Sequence, residues 1–284
     1  MKYSITLSCA ILMAIFFLGC IESETVITIK PDGSGTLQET FLMSKVASRQ
    51  MASMFGSMTE ETGDDTIATI GSVSGFDFYK EDELREKAKN MGEGVEFVSG
   101  KPFETDKAEG FKVTYSFQDI NNLIINQNPG ECVPSAGETS KKNVVKENVT
   151  FKFSRGKVST LTIKSPRSKD DEAQKDKSTT DPVKNSAADM PEAGLEQVKQ
   201  MFDGMRVAMI VKIDGNIIKT NATHVDGNRI TVMDMDFGKL LEAPEAFKKF
   251  AQINPKTVED AKKLVKNVPG IKVDLNEKIE VRFK

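Results

Sequence analysis

The sequence contains few side chains that are suited to catalysis. His224 is the only histidine, which excludes a multi-histidine metal site, and no nucleophile or orienting carboxylate is identifiable beside it. Asp234 and Asp236 stand at i and i+2, on one face of a predicted strand, where paired carboxylates can bind calcium or act as acid and base. The sequence places no third oxygen ligand near them, which favours a solvated sheet face. We therefore expect no catalytic residue, no cofactor and no metal site.

One cysteine, by contrast, stands in a pattern that is typical of lipid attachment. Lys2 gives a positive start, and Ile5–Leu18 gives an apolar run of 14 residues that ends at Gly19 and Cys20. As a helix that run spans roughly 20 Å, too short for a hydrocarbon layer of about 30 Å. The residues Phe17–Cys20 resemble the lipobox of bacterial lipoproteins, with Phe17 where leucine is usual. The pattern predicts a signal peptide over residues 1–19 and lipidation of Cys20.

The other two cysteines add little chemistry. Cys9 would leave with the signal peptide, so Cys132 would be the one unmodified thiol and no intramolecular disulfide is expected. Cys132 lies in a turn-rich stretch, Asn128–Cys132, with no histidine next to it to activate the thiol. We interpret it as a loop cysteine without a role in the chemistry.

Composition is that of a folded body with balanced charge. Without residues 1–19 the chain has 38 basic and 42 acidic residues, a net charge of minus four. That balance provides no electrostatic basis for binding nucleic acid or an anionic membrane surface. We expect a body anchored by lipid at the cell membrane or outer membrane, facing the periplasm or the exterior. Ile21 is not the aspartate associated with inner-membrane retention, which favours the periplasmic face of the outer membrane.

Apolar periodicity and turn residues predict an α+β fold of antiparallel sheet hairpins and a three-stranded meander, packed by amphipathic helices. The first hairpin pairs Thr25–Ile29 with Thr36–Leu42 around the turn Pro31–Gly35. The meander joins three strands through the turns Asp214–Asn216 and Asp226–Asn228. The other predicted elements are helix Glu81–Met91, strands Val95–Val98 and Phe111–Phe117, hairpin Val149–Ser154 with Lys157–Ile163, a helix after Pro191, meander strands Val207–Ile213, Ile217–Ala222 and Arg229–Met235, helices after Pro244 and Pro255, and strand residues 271–283.

A methionine-rich stripe follows the first hairpin. Met51, Met54, Phe55 and Met58 recur at helical spacing after Met43. Because methionine adapts to irregular partners, this stripe is a candidate face for an apolar ligand or a partner protein. The alternative is an ordinary core helix packed on the sheet, which shows the same spacing.

Composition changes sharply between Ser165 and Asp189. Eleven of these 25 residues are charged, and Val183 is the only large aliphatic one. Such a segment buries too little apolar surface to offset its ordering entropy. We therefore predict a flexible charged insertion over 165–189 between two parts of one α+β body, residues 20–164 and 190–284. The alternative is a boundary between two domains.

Three stretches carry a resemblance to known proteins: the hairpin Val26–Thr36, the segment Gly110–Ile120, and the turn-rich Thr220–Asn228. They resemble segments of uncharacterised bacterial lipoproteins, and more distantly the mycobacterial LppM domain. The resemblance implies an α+β envelope lipoprotein that contains a pocket, and it brings no site residues with it.

These observations predict a membrane-anchored envelope lipoprotein with a non-enzymatic binding or structural role. Its expected partners are the membrane, through Cys20, and an apolar ligand or an envelope protein. The alternative is a hydrolase or transferase that relies on carboxylates alone, because Asp234 and Asp236 are among many acidic residues.

Overall fold

The computed structural model describes residues 21–49, 78–126, 148–165, 204–251 and 258–284. These residues form two sheets with a few short helices, which confirms the α+β class. The strands are β1 (Ile21–Ile29), β2 (Gly35–Ser44), β3 (Val95–Glu104), β4 (Ala108–Phe117), β5 (Ile124–Asn126), β6 (Asn148–Ser154), β7 (Ser159–Lys164), β8 (Arg206–Ile213), β9 (Ile217–Thr220), β10 (Val225–Asp226), β11 (Arg229–Asp236), β12 (Ile271–Val273) and β13 (Lys278–Phe283). The helices are α1 (Glu81–Asn90), α2 (Phe237–Leu241), α3 (Pro244–Ala251) and α4 (Val258–Val265), with a 3-10 turn at Ile120–Asn122.

The larger sheet runs in the order β10-β11-β8-β1-β2-β4-β3, and β12 pairs with β11. Strands β1 and β8 are parallel, with Thr25 opposite Met209, while the other pairs are antiparallel. The smaller sheet runs β5-β6-β7-β13-β9 and is antiparallel throughout. Strand β8 therefore lies beside β1 although most of the chain separates them.

The first predicted hairpin is confirmed. Strands β1 and β2 pair with Ile29 opposite Gly35, and Gly33 takes a left-handed φ of 91° in the turn. Glycine adopts that conformation without the penalty a Cβ brings. The predicted hairpin of β6 and β7 is confirmed as well, with Phe153 opposite Leu161.

The predicted three-stranded meander is wrong in its middle strand. Strand β9 pairs with β13 of the smaller sheet, while β8 pairs directly with β11. The turn at Asp214–Asn216 does not fold β9 back onto β8, because Asn216 exchanges two backbone hydrogen bonds with Lys284, at 2.8 and 3.1 Å. The chain thereby crosses from the larger sheet to the smaller one. The turn at Asp226–Asn228 closes a short hairpin of β10 and β11.

Both sheets and α1 contribute to one hydrophobic core. Ile27 and Leu37 of the larger sheet and Leu161 and Phe283 of the smaller sheet are fully buried. Each such side chain contributes about 1.5–3 kcal/mol by leaving water. Helix α1 adds Leu84 and Ala88. Its first turn is acidic and its last turn basic, which complements the helix dipole.

A β-bulge in β11 decides which face its charged residues occupy. Thr231 lies opposite Ile210, but Met233 lies opposite Met209, so Val232 is one extra residue. After the bulge, Asp234 lies opposite Ala208 and Asp236 opposite Arg206. Asp234 and Asp236 therefore share the face of the sheet that carries Arg206, as predicted for an i, i+2 pair.

Several predictions fall on residues outside the described ranges. They are the signal peptide 1–19, lipidation at Cys20, the stripe Met51, Met54, Phe55 and Met58, the thiol of Cys132, the charged segment 166–189 and most of the helix after Pro191. The division of the body into residues 20–164 and 190–284 stays a prediction. Among the described helices, none is both long and apolar enough to cross a membrane.

Candidate functional site

One end of the larger sheet is connected directly to Cys20. Strand β1 begins at Ile21, the residue that follows Cys20 in the sequence. Ile21 is 8 % exposed and lies opposite Met43. Because β8 is parallel to β1 and β11 is antiparallel to β8, β8 begins and β11 ends at this same end. We call it the Cys20 end of the sheet.

A cluster of one cation and three carboxylates lies at the Cys20 end. Arg206 donates two hydrogen bonds to Asp234, at 2.9 and 3.3 Å, and one each to Glu22 and Glu24, at 3.1 and 3.2 Å. Hydrogen bonding to Asp234 raises the pKa of the guanidinium, against the opposing effect of partial burial. The strands position these groups, since Glu22, Arg206 and Asp236 occupy successive strands at one level. We call the side chains of Arg206, Asp234, Glu22 and Glu24 the Arg206 cluster.

Asp236 joins the strand end to the next helix. Its carboxylate accepts a hydrogen bond from the backbone N–H of Lys239, at 3.0 Å, and so caps α2. The Lys239 ammonium lies 2.8 Å from the other carboxylate oxygen. Burial alone would raise the pKa of Asp236, but the hydrogen bonds from Lys239 and the charges of Lys239 and Arg206 together lower it. Asp236 is therefore held ionised.

An open groove of about 570 Å³ lies next to the Arg206 cluster. It brings His224 close to Asp234 and Asp236, from which it is separated in the sequence. Its lining residues are His224, Asp234, Asp236, Lys239, Lys266, Asn267, Val268, Pro269, Gly270, Ile271 and Lys272.

The loop that closes the groove is fixed to the end of β11. The N–H of Asp236 donates to the carbonyl of Gly270, at 2.8 Å, and Met235 lies opposite Ile271. Gly270 has a left-handed φ of 78°, and a Cβ there would collide with the carbonyl of Asp236. Glycine is therefore required where the loop meets the strand.

The two aspartates of the groove are bound to cations within the protein. Arg206 binds Asp234 and Lys239 binds Asp236, and the ionised carboxylate of Asp236 cannot serve as a general acid near neutral pH. The side chain of His224 has no described hydrogen-bond partner that would orient it, while its backbone carbonyl accepts from Thr231. Within the described ranges, no group of three or more acidic, histidine or cysteine side chains is arranged to hold a metal.

Lysines give the groove its exposed charge. Lys266 and Lys272 are exposed lining residues, and Lys263 is exposed one turn before Lys266 on α4. None of these three ammonium groups forms an ion pair with a side chain that the structure describes, whereas Lys239 pairs with Asp236 and Lys262 donates to Asn276. We call Lys263, Lys266 and Lys272 the lysine face.

The sequence reasoning identified the two aspartates but missed Arg206 and the lysine face. Arg206 could have been found from two i, i+2 acidic pairs, Glu22 with Glu24 and Asp234 with Asp236, which need a shared cation when their strands lie near one another. The lysine face could have been found by counting charges over short stretches of the sequence, because the nearly balanced net charge of the whole chain conceals a basic segment.

Comparison with known proteins adds no residue roles. No protein-family model matches the chain, and no curated protein matches it. The NMR structure of the folded domain of the Mycobacterium tuberculosis LppM protein aligns over 93 % of this chain and 90 % of that chain, with 8 % identity and a TM-score of 0.32. The chain thus bears a distant structural likeness to that domain, too remote to assign a function or a site.

Proposed function

We propose that this chain is a membrane-anchored envelope lipoprotein whose α+β body has a non-enzymatic binding or structural role. The observation that carries the proposal is that Ile21, the residue after Cys20 in the sequence, is already paired in β1. A lipoprotein is cut immediately before its acylated cysteine, so sheet structure from Ile21 onward is compatible with a mature chain that begins at Cys20.

The absence of a linker would hold the body against the lipid surface. Ile21 is buried and Glu22 pairs with Leu42 in the sheet, so the first residues after the anchor are already part of the fold. Two or three acyl chains at about 0.8 kcal/mol per buried methylene hold a protein far more firmly than one chain does. The Cys20 end of the sheet would then face the membrane permanently.

The engagement of the groove carboxylates supports a role in binding rather than catalysis. We propose that the body binds an apolar ligand or an envelope protein, with Met51, Met54, Phe55 and Met58 as the candidate face from the sequence. The alternative, a carboxylate-based hydrolase or transferase, draws on the presence of His224, Asp234 and Asp236 in one groove.

Metabolic labelling with a palmitate analogue tests the anchor. The wild-type protein should incorporate the label, stay with membranes through salt washes and leave only in detergent. Cys20→Ser should take up no label and run as the larger precursor, because processing depends on the acylated cysteine. Normal cleavage and release of Cys20→Ser, together with an unlabelled wild-type protein, would show a secreted protein instead.

Native mass spectrometry of the protein taken from its own host tests the binding role. A retained lipid or a stable protein partner supports binding. To test the alternative, Asp234→Asn with Asp236→Asn should leave any retained ligand in place, since these carboxylates are engaged within the protein. Loss of a substrate-converting activity in that double variant would instead favour the enzyme.

A further inference from the structure

The charge of this protein is distributed unevenly along the chain. Residues 237–272 contain eight lysines and four acidic residues, a net charge of plus four. The mature chain carries minus four in total, so the remainder carries minus eight. A weakly acidic protein therefore has one strongly basic segment, and the total charge does not predict how that segment interacts.

The described structure places both ends of this basic segment at the Cys20 end of the sheet. Phe237 donates its N–H to the carbonyl of Met205, at 2.9 Å, beside the start of β8. Gly270 accepts from Asp236 at the end of β11. Helices α2 and α4 thus leave from and return to the end of the sheet where the chain connects to Cys20.

Two of the four carboxylates near the lysine face are neutralised. Arg206 is bound to Asp234, and Lys239 is bound to Asp236. Glu22 and Glu24 share Arg206 with Asp234, so the Arg206 cluster keeps a net charge of minus two. Lys263, Lys266 and Lys272, in contrast, are exposed, and none of them forms an ion pair with a side chain that the structure describes. Their three charges remain available to an external anion.

We propose that the lysine face docks onto anionic phospholipid headgroups of the membrane in which the Cys20 lipid is inserted. The inference rests on the proposed lipid anchor, which keeps this end of the body within reach of the headgroups. Each lysine near an anionic surface strengthens association about fivefold, and the effect falls off within a Debye length of roughly 10 Å. Attachment at Cys20 supplies the high local concentration that makes three such contacts effective.

Docking would fix the orientation of the body on the membrane. The acyl chains constrain one point only, so the body could still rotate about Cys20. A second contact through Lys263 on α4, Lys266 in the turn after α4, and Lys272 on β12 adds the constraint that stops this rotation. The smaller sheet would then face away from the membrane.

A chemically anchored protein tests docking separately from acylation in the cell. The mature chain with Cys132→Ser has Cys20 as its only thiol, and can be coupled to a maleimide lipid in vesicles. Lysine reactivity towards an acetylating reagent is then measured by mass spectrometry. Vesicles of phosphatidylcholine alone are compared with vesicles that also contain phosphatidylglycerol.

The lysine face should react several-fold more slowly on phosphatidylglycerol vesicles, and high salt should remove this protection. Lys30, Lys157 and Lys219, which are exposed away from the Cys20 end, serve as internal controls and should react equally on both vesicles. Equal reactivity of the lysine face on both vesicles would overturn the proposal, and would favour an acidic protein partner for these lysines.

Charge-reversal variants complete the test. Replacing Lys263, Lys266 and Lys272 with glutamate should abolish the fixed orientation of the lipid-coupled protein on the membrane. The orientation is measured by fluorescence quenching between a label on the smaller sheet and the lipid headgroups. The matched control replaces Lys30, Lys157 and Lys219 with glutamate and has the same net charge. Equal effects in both triple variants would contradict docking through this face. Failure of palmitate labelling in cells would contradict the anchor, while leaving this result standing.

Discussion

The ring of Tyr115 meets that of Phe97 edge-on, with the centroids 6.2 Å apart and the planes at 76°. Tyr115 is fully buried, and its hydroxyl has no hydrogen-bond partner among the described residues. An unpaired buried hydroxyl loses its hydration without compensation. Tyr115→Phe should therefore leave stability unchanged or raise it by up to about 1 kcal/mol in urea unfolding. Tyr79→Phe is the control and should give no gain, because the Tyr79 hydroxyl donates to Glu81 at 2.9 Å.

The same tyrosine should make stability depend on alkaline pH. Burial, together with the negative charge of Glu39, raises the pKa of Tyr115 well above its ordinary value. The folded state then keeps a proton that the unfolded state loses above pH 10, so stability falls by about 1.4 kcal/mol per pH unit beyond that point. The Tyr115→Phe variant lacks this term. A constant difference between the two proteins from pH 8 to about 11 would show that the phenol ionises normally in the fold.

Removal of Arg206 should destabilise the Cys20 end. Arg206→Ala would leave Asp234, Glu22 and Glu24 without their shared cation, and these carboxylates would repel one another. Since the Arg206 side chain is 26 % exposed, water reduces the penalty, and we expect a loss of about 1–3 kcal/mol. Arg206→Lys should recover part of it, because a lysine keeps the charge but not the two-pronged contact. Arg155→Ala, in an exposed turn, should have almost no effect in the same urea titration.

The charge of Asp236 should stabilise the fold only above acidic pH. Its pKa is lowered in the folded state, so its contribution is complete above the unfolded value of about 3.9 and disappears as the pH falls through the folded value. Asp236→Asn keeps a side chain that can cap α2 but removes the charge. We expect a loss of about 0.5–1 kcal/mol at pH 7 that vanishes near pH 2. A difference that persists unchanged at pH 2 would mean that shape, and not charge, explains the effect.

Alanine substitutions at two glycines distinguish the destabilisation caused by backbone strain from that caused by a steric clash of the new Cβ. Gly92 has a φ of 135°, and a Cβ there would run into the carbonyl oxygen of Asn122. Gly227 has a φ of 58° with open space around it. Gly227→Ala should cost about 1 kcal/mol from strain alone, and Gly92→Ala should cost at least about 2 kcal/mol more. Similar losses for both variants in thermal unfolding would show that the Gly92 turn can shift away from Asn122.

Local signals predicted the parts of the fold whose partners are near in sequence. The Pro31–Gly35 turn identified the pairing of β1 with β2, because turn geometry fixes the register of a hairpin. The pairing of Thr25 with Met209 has no such signal, since no turn joins strands that lie so far apart in the chain. The pairing of Lys219 with Arg282 was missed for the same reason, and a hairpin turn at Asp214–Asn216 was inferred in its place.

The candidate site was predictable only in its separate pieces. Alternation placed Asp234 and Asp236 on one face, and the structure agrees. The contact of Asp234 with Arg206 depends on β8 lying beside β11, which is a property of the whole sheet. His224 and Lys272 meet in one groove because the segments that carry them both pair with β11. A single sequence shows which charges exist, and tertiary pairing decides which of them meet.

The extra residue in β11 makes the polarity of this face depend on strand pairing as well as on residue type. If Val232 were kept but the bulge were lost, Val232 would pair with Met209. Asp234 would then stand opposite Val207, on the side that faces the core, and Met235 would lie opposite Arg206. Both the charged face and the apolar face beyond that point would be inverted by a shift of one residue. Deletion of Val232 would instead leave Met233 opposite Met209 and Asp234 opposite Ala208. A related chain that is one residue shorter here can therefore keep the charged face, whereas a chain of equal length without the bulge loses it.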